Sequence, residues 1–82
     1  MIMRIKDIKP LEDFKLFVTF DDGKSVIYNV KEDMETLPGY NDLENITGLF
    51  SHVQIDESRT CVFWTEDIDL PSHAIYEYGR TV

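Results

Sequence analysis

The stretch from Phe14 to Val30 constrains this chain more than any other part of it. In Phe14-Lys-Leu-Phe-Val-Thr-Phe20, the residues Phe14, Leu16, Val18 and Phe20 alternate with Lys15, Phe17 and Thr19, which is the period-two pattern of a strand with one buried face. Val26, Tyr28 and Val30 repeat the pattern beyond Asp21-Asp22-Gly23-Lys24. Asp-Gly between two such runs predicts a hairpin with a type I′ turn, whose two central residues both need positive φ. A chain that opens this way is committed to an antiparallel sheet, and the remaining segments must cover its apolar face.

The other elements follow from shorter signals. Residues 2–8 predict a first strand that Pro10 and Leu-Glu-Asp then break. After the hairpin, Asn29 is placed to cap a short helix, with Glu32 three residues later and Val30, Met34 and Leu37 at helical spacing. Pro38-Gly39 ends that helix. Residues 42–47 predict a further helical turn opened by Asp42, with Leu43, Ile46 and Phe50 over the sheet. A second hairpin joins 52–55 to 60–64 through Asp56-Glu-Ser-Arg59. Residues 71–78 predict a last helix opened by Pro71 or Ser72 and closed by Gly79. The expected fold is α+β, a single domain over 1–82. It has a small antiparallel sheet of two hairpins plus an N-terminal strand, and two or three short helices, in the order β-β-β-α-(α)-β-β-α.

Eighty-two residues make room for one core, and ten aromatic residues can fill much of it. The formal charge is −8, unevenly spread. Residues 1–31 hold six basic side chains against five acids, whereas residues 32–82 hold Arg59 and Arg80 against eleven acids. Binding to bare nucleic acid needs a basic surface, and the second segment offers the opposite. A negative surface favours a basic protein partner instead. The single cysteine forms no internal disulfide, and no apolar run reaches the ~20 residues of a membrane span, so the expected location is the cytoplasm. A small antiparallel sheet leaves edges through which two copies can pair as a homodimer.

Four groups could carry chemistry. Cys61 alternates with Phe63 and reads as a small buried hydrophobe rather than a nucleophile, which would need a lowered pKa and a base. His52 and His73 have no partner at metal-ligand spacing, so neither a metal nor any other cofactor is implied. In Glu66-Asp67-Ile68-Asp69, Asp67 and Asp69 share a side of an extended chain and could hold a divalent cation, but the glycine turn and distal glutamate of a calcium loop are absent. The run reads as a solvated loop, with Asp69 favouring the start of the last helix. Trp64, Tyr76 and Tyr78 could form a ligand platform, against the simpler reading that they pack in the core.

The order of several short motifs resembles a known family. Leu16 to Lys24 is similar to an L-x-V-x-F-x-x-G-x pattern, Leu49-Phe50 with Val53 to L-F-x-x-V, and Trp64 with Asp69-Leu70-Pro71 and Ile75-Tyr76-Glu77 to a W-x₄-D-L-P-x₃-[IL]-Y-E ending. Together they resemble the small bacterial family called domain of unknown function 2442. The resemblance implies a compact, β-rich α+β domain with no catalytic residues to carry over. It also implies a chain encoded beside another small protein, in pairs for which an antitoxin-like role is suggested. The expectation is a non-enzymatic interaction module, the acidic member of such a pair, with Glu66, Asp67, Asp69 and Tyr76 as partner- or ligand-binding residues. The alternative is a small-ligand or metal-binding domain using the acidic loop near Trp64 and Tyr76.

Overall fold

The computed structural model describes residues 3–36, 40, 42–46, 48–66 and 68–82. The central hairpin forms as its alternation requires. Strand β2 (Lys15–Phe20) pairs antiparallel with β3 (Ser25–Asn29), with Leu16 opposite Tyr28 and Val18 opposite Val26. Leu16, Val18, Phe20, Val26 and Tyr28 are all buried. The turn differs from the type I′ expectation. Of its residues only Gly23 has positive φ, at 92°. The Gly23 N–H donates to the Phe20 carbonyl and the Phe20 N–H to the Lys24 carbonyl, both at 2.9 Å. This is a three-residue loop closed by a left-handed glycine, the next commonest hairpin connection. The Asp22 carboxylate accepts the Lys24 N–H at 2.9 Å and stiffens it.

Pro10 does not end the first strand. β1 (Ile5–Leu11) runs through it, pairing Pro10 with Leu16 and Leu11 with Lys15. The strand tolerates proline because it lies at the sheet edge, where one side of the backbone needs no ladder partner. Phe14 is not yet in a strand. It closes a 3-10 turn over Glu12–Phe14, with Asp13 and Phe14 at φ of 61° and 58°. The opposite edge is a strand absent from the sequence reading, β7 (Arg80–Thr81), which pairs Arg80 with Ile27 and Thr81 with Val26.

The second hairpin belongs to a separate sheet rather than extending the first. β4 (Gln54–Ile55), β5 (Cys61–Thr65) and β6 (Ile68–Pro71) form an antiparallel sheet in that order. His52 precedes it in a 3-10 turn, Phe50–His52, instead of starting the strand. β6 replaces the expected loop. Ile68 and Leu70 are buried while Asp69 and Pro71 are exposed, so the acids hide an ordinary period-two strand.

Among the described residues three α-helices complete the fold: α1 (Lys31–Thr36), α2 (Asp42–Asn45) and α3 (Ser72–Tyr78). Asn29 sits one residue before the capping position. Its side-chain oxygen accepts the Lys31 N–H at 3.0 Å, while the Val30 carbonyl takes the first helical bond, from Met34. The expected stop at Leu37, Pro38 and Gly39 lies outside the described residues, as does Thr47. Leu43 of α2 is buried as expected, whereas Ile46 is 51% exposed, at the rim of a depression shared with Gln54 and Trp64.

One core joins both sheets. Leu16, Val18, Phe20 and Val26 from the four-stranded sheet cluster with Val62, Trp64, Ile68 and Leu70 from the three-stranded one and with Ile75 of α3. The sheets are also stitched by a backbone bond from Ile5 to Arg59 (2.7 Å), and Ser72 donates its hydroxyl to the Met3 carbonyl. The architecture is α+β and mostly strand, with two antiparallel sheets of four and three strands and three α-helices among the described residues.

Candidate functional site

Tyr76 is positioned by α3 against the β2–β3 hairpin. Its ring meets Phe20 edge-on at 4.9 Å, and the Lys24 ammonium stands 4.0 Å from the ring centroid. Its hydroxyl donates to the Asp22 carboxylate at 2.7 Å. The Lys24 backbone N–H and then this hydroxyl hold the Asp22 carboxyl below its ordinary value. In return, the bond to Asp22 pushes the Tyr76 phenol above its own. A phenol so placed stays neutral near pH 7 and serves as a clasp on the turn rather than as an acid or base.

The acidic run lies in the other sheet. Glu66 follows β5 and is exposed, Asp69 is an exposed residue of β6 opposite Phe63, and Asp67 lies outside the described residues. Among the described residues no bond or ring contact joins Tyr76 to Glu66 or Asp69. Trp64 is buried, stacks on Phe50 at 5.7 Å and donates its indole N–H to the Phe50 carbonyl at 2.9 Å. The expected platform of acidic loop, Trp64 and Tyr76 is therefore divided between two places, and Tyr78 is exposed at the end of α3.

Cys61 and Phe63 share a face, but it is the half-buried outer face of β5, since Val62 and Trp64 take the core. Burial, followed by the charges of Asp69 and Asp56, pushes the Cys61 thiol up. Such a thiol stays protonated at neutral pH, and it points to the Val62 carbonyl at 3.4 Å. Burial likewise raises the hydroxyls of Tyr28, which donates to Asp33 at 2.5 Å, and of Tyr40, which donates to the Asp69 carbonyl. Among the described residues no three His, Cys, Asp or Glu side chains are grouped to hold a metal ion.

The charges are segregated by element. Among the described residues one ion pair forms, the two-pronged contact of Arg59 with Asp21 at 2.9 and 3.0 Å. Glu32 and Glu35 on α1, Asp42 and Glu44 on α2, and Glu66 and Asp69 around β6 are all exposed and free of ion pairs. No Lys or Arg stands between Lys31 and Arg59 in the chain to neutralise them.

The outer face of the four-stranded sheet mixes cations with acids around half-buried apolar side chains, and sequence reasoning missed it. The ladder places Lys9, Phe17, Ile27 and Arg80 in one row across the four strands, with Leu11, Lys15 and Asn29 in the next. A groove of about 640 Å³ runs beside Lys15, Ile27 and Arg80, walled by Leu11, Glu12 and Asp13. A second, of about 320 Å³, shares Ile27, Asn29 and Arg80 and continues toward Glu32 and Tyr78. The Lys15-Phe17-Thr19 alternation was the available signal, but without β7 it had no second basic margin.

Among the described residues no helix is long and apolar enough to cross a membrane. A family model described as "Protein of unknown function (DUF2442)" matches residues 5–81. No curated protein and no solved structure matches the chain.

Proposed function

We infer that this chain, which belongs to the family of proteins of unknown function 2442, works by binding another protein rather than by catalysing a reaction. The reading is that it is the acidic, antitoxin-like member of a two-protein pair with a basic partner. The observation that carries it is the set of exposed, unpaired carboxylates on α1, α2 and β6. Unpaired surface charge of one sign contributes little to the fold, yet it steers encounter with a surface of the other sign. The side chains best suited to chemistry are engaged elsewhere: the Cys61 thiol is held protonated, and the Tyr76 hydroxyl is bound to Asp22. The alternative of a small-ligand or metal site on the acidic loop draws no support from the separate placements of Tyr76 and Trp64.

The same negative field opposes binding of bare DNA by the chain alone. A cytoplasmic setting fits a chain with one cysteine. The test is co-expression with the protein of the adjoining reading frame, followed by association kinetics on the purified pair. A complex is expected whose on-rate falls as salt rises, and falls again when Glu66, Asp67 and Asp69 are neutralised together with the melting temperature unchanged. Recovery of no complex, or tight DNA binding by the chain alone, would overturn the reading.

A further inference from the structure

We propose that the open hollow between the turn after α2 and strand β5 is the anchor site for the basic partner, taking one apolar side chain flanked by Lys or Arg. This rests on the acidic reading given above and adds to it the point at which the partner is held.

The hollow holds about 280 Å³ and is lined by Ile46, Gly48, Leu49, His52, Gln54 and Trp64. Its wall is one hydrogen-bonded turn. The Leu49 N–H donates to the Ile46 carbonyl at 3.1 Å, the His52 N–H to the Leu49 carbonyl at 2.9 Å, and the Ser51 hydroxyl to the Gly48 carbonyl at 2.9 Å. Its inner side is Trp64, fixed by the stack on Phe50 and by the indole bond to the Phe50 carbonyl. The site is thus formed before anything binds, which lowers the ordering cost of binding. Ile46 is exposed at its rim, and among the described residues the other large exposed apolar side chains, Tyr78 and Val82, both come after Glu77. An exposed isoleucine beside a half-buried leucine and a fixed tryptophan suits the central pocket of a protein contact.

Charge and size select the occupant. None of the six lining residues is Lys, Arg, Asp or Glu, so the flanks decide. On one side the Ile46 N–H donates to the Asp42 carbonyl at 2.9 Å, which sets those two side chains at i and i+4, ~5–6 Å apart. On the other, Glu66 follows Trp64 by two residues, about 7 Å along an extended chain. Among the described residues both carboxylates are exposed and form no ion pair. Residues 32–79 include the whole lining and hold eleven acids against one Lys or Arg, Arg59, which is spent on Asp21. A side chain entering with Lys or Arg beside it meets carboxylates on both flanks, whereas one beside Asp or Glu meets its own sign. A free small molecule is less suited, because such ligands take enclosed sites of ~300–1,000 Å³. A second copy of this chain brings a net charge of −8 to an acidic rim.

The probe is the capped peptide Lys-Lys-Leu-Lys-Lys, titrated into the full chain and followed by the emission of Trp64, the lone tryptophan, and by amide chemical shifts. Saturable binding is expected, with shifts at the residues lining the hollow and at the Trp64 indole N–H. Alanine in place of the peptide's leucine, or glutamate in place of its lysines, is expected to weaken it by about tenfold or more. Ile46→Lys should do the same, and Val82→Lys, equal in charge and also exposed, should leave the affinity unchanged. Should the Ile46 variant fail to fold, the peptide series and the shift map on the unaltered protein still decide the site. With the product of the adjoining reading frame, Ile46→Lys should speed dissociation, whereas neutralising Glu66, Asp67 and Asp69 slows association. A pair whose dissociation ignores Ile46→Lys overturns the anchor and leaves the acidic reading standing. Peptide saturation at the hollow with no pair recovered does the reverse. Absence of saturation by about 1 mM peptide, shifts on the four-stranded sheet instead, equal binding of the alanine or glutamate peptide, or self-association through Ile46 in sedimentation would overturn the proposal.

Discussion

Gly79 is where the last helix meets the first sheet, and replacing it with alanine tests that junction. Its φ of −69° is ordinary, so the requirement is space and not conformation. A Cβ there would stand 2.5 Å from the Ile75 carbonyl oxygen, 2.8 Å from Val26 Cγ2 and 3.0 Å from Val26 Cβ. The Ile75 oxygen cannot swing away, because it already accepts the Gly79 N–H at 2.8 Å, and Val26 is wholly buried. Overpacking of this kind typically costs 1–3 kcal/mol, and rigid neighbours on both sides argue for about 3. Alanine recovers roughly 0.4–1 kcal/mol through the unfolded chain, leaving a net loss of about 2 kcal/mol. For a domain of this size that lowers Tm by about 8–16 °C. Thermal and urea melts followed by circular dichroism measure it. Gly23→Ala is the matched control: nothing lies within 4 Å of its Cβ, but its φ of 92° is left-handed. That conformational cost of ~1–2 kcal/mol, less the same gain, leaves about 1 kcal/mol. Hydrogen exchange adds a readout particular to Gly79, since pushing α3 off Val26 should strip β7 from β3 and expose the Ile27 amide. A Gly79→Ala protein as stable as the parent, or less affected than Gly23→Ala, refutes the argument.

The Asp56 carboxylate accepts the N–H groups of Thr60 and Cys61 at 3.1 and 3.2 Å and the Ser58 hydroxyl at 2.9 Å, so Asp56→Ala should cost about 1–2 kcal/mol in a urea melt, with no loss counting against it. Iodoacetamide should alkylate Cys61 slowly at pH 8 in the folded protein and rapidly in urea, because burial and two carboxylates hold the thiol protonated; equal rates would contradict this. Tyr76→Phe should lower Tm at neutral pH by removing a bond to ionised Asp22. The folded Asp22 carboxyl is depressed, so its stabilisation is complete above the unfolded carboxylate range and is lost as pH falls through the folded value. The Tm gap between the two proteins should therefore close in acid, and a gap that persists there would assign Tyr76 to packing alone.

Much of the fold was legible because local and tertiary demands agree in it. Leu16, Val18, Phe20, Val26 and Tyr28 show their alternation without competition, and the structure buries all five. The departures arise where one signal masked another. Asp69 between Ile68 and Leu70 read as part of a charged loop, although a strand with one solvated face accommodates an acid at every second position. Pro10 read as a stop because the edge position that tolerates it is a property of the sheet, not of the segment. β7 has two residues and no pattern of its own; it exists because Gly79 lets the chain turn closely over Val26. The site suffered in the same way. Tyr76 was visible as a polar aromatic at a helix, but its partners Asp22 and Lys24 lie more than fifty residues away, and nothing local connects them.

The separation of charge along the chain is only partly kept in space, because β7 brings Arg80 beside acids of the 3-10 turn and of α1. The basic first segment supplies β1, β2 and β3, so its Lys9 and Lys15 land on the outer face of one sheet. The acidic remainder supplies α1, α2 and the second sheet. Arg80 is one of only two cations after Lys31, and β7 returns it to that face beside Ile27. The other, Arg59, is drawn onto Asp21 at the tip of the first hairpin, where it removes a negative charge from the basic segment's own turn. Among the described residues neither late cation forms an ion pair with the carboxylates of α1 and α2. If surface charge served solubility alone, interspersed signs would do as well and would avoid the self-repulsion of a one-signed patch. The carboxylates of α1, α2 and β6 that are left exposed and without ion pairs are the charges that the test on Glu66, Asp67 and Asp69 samples.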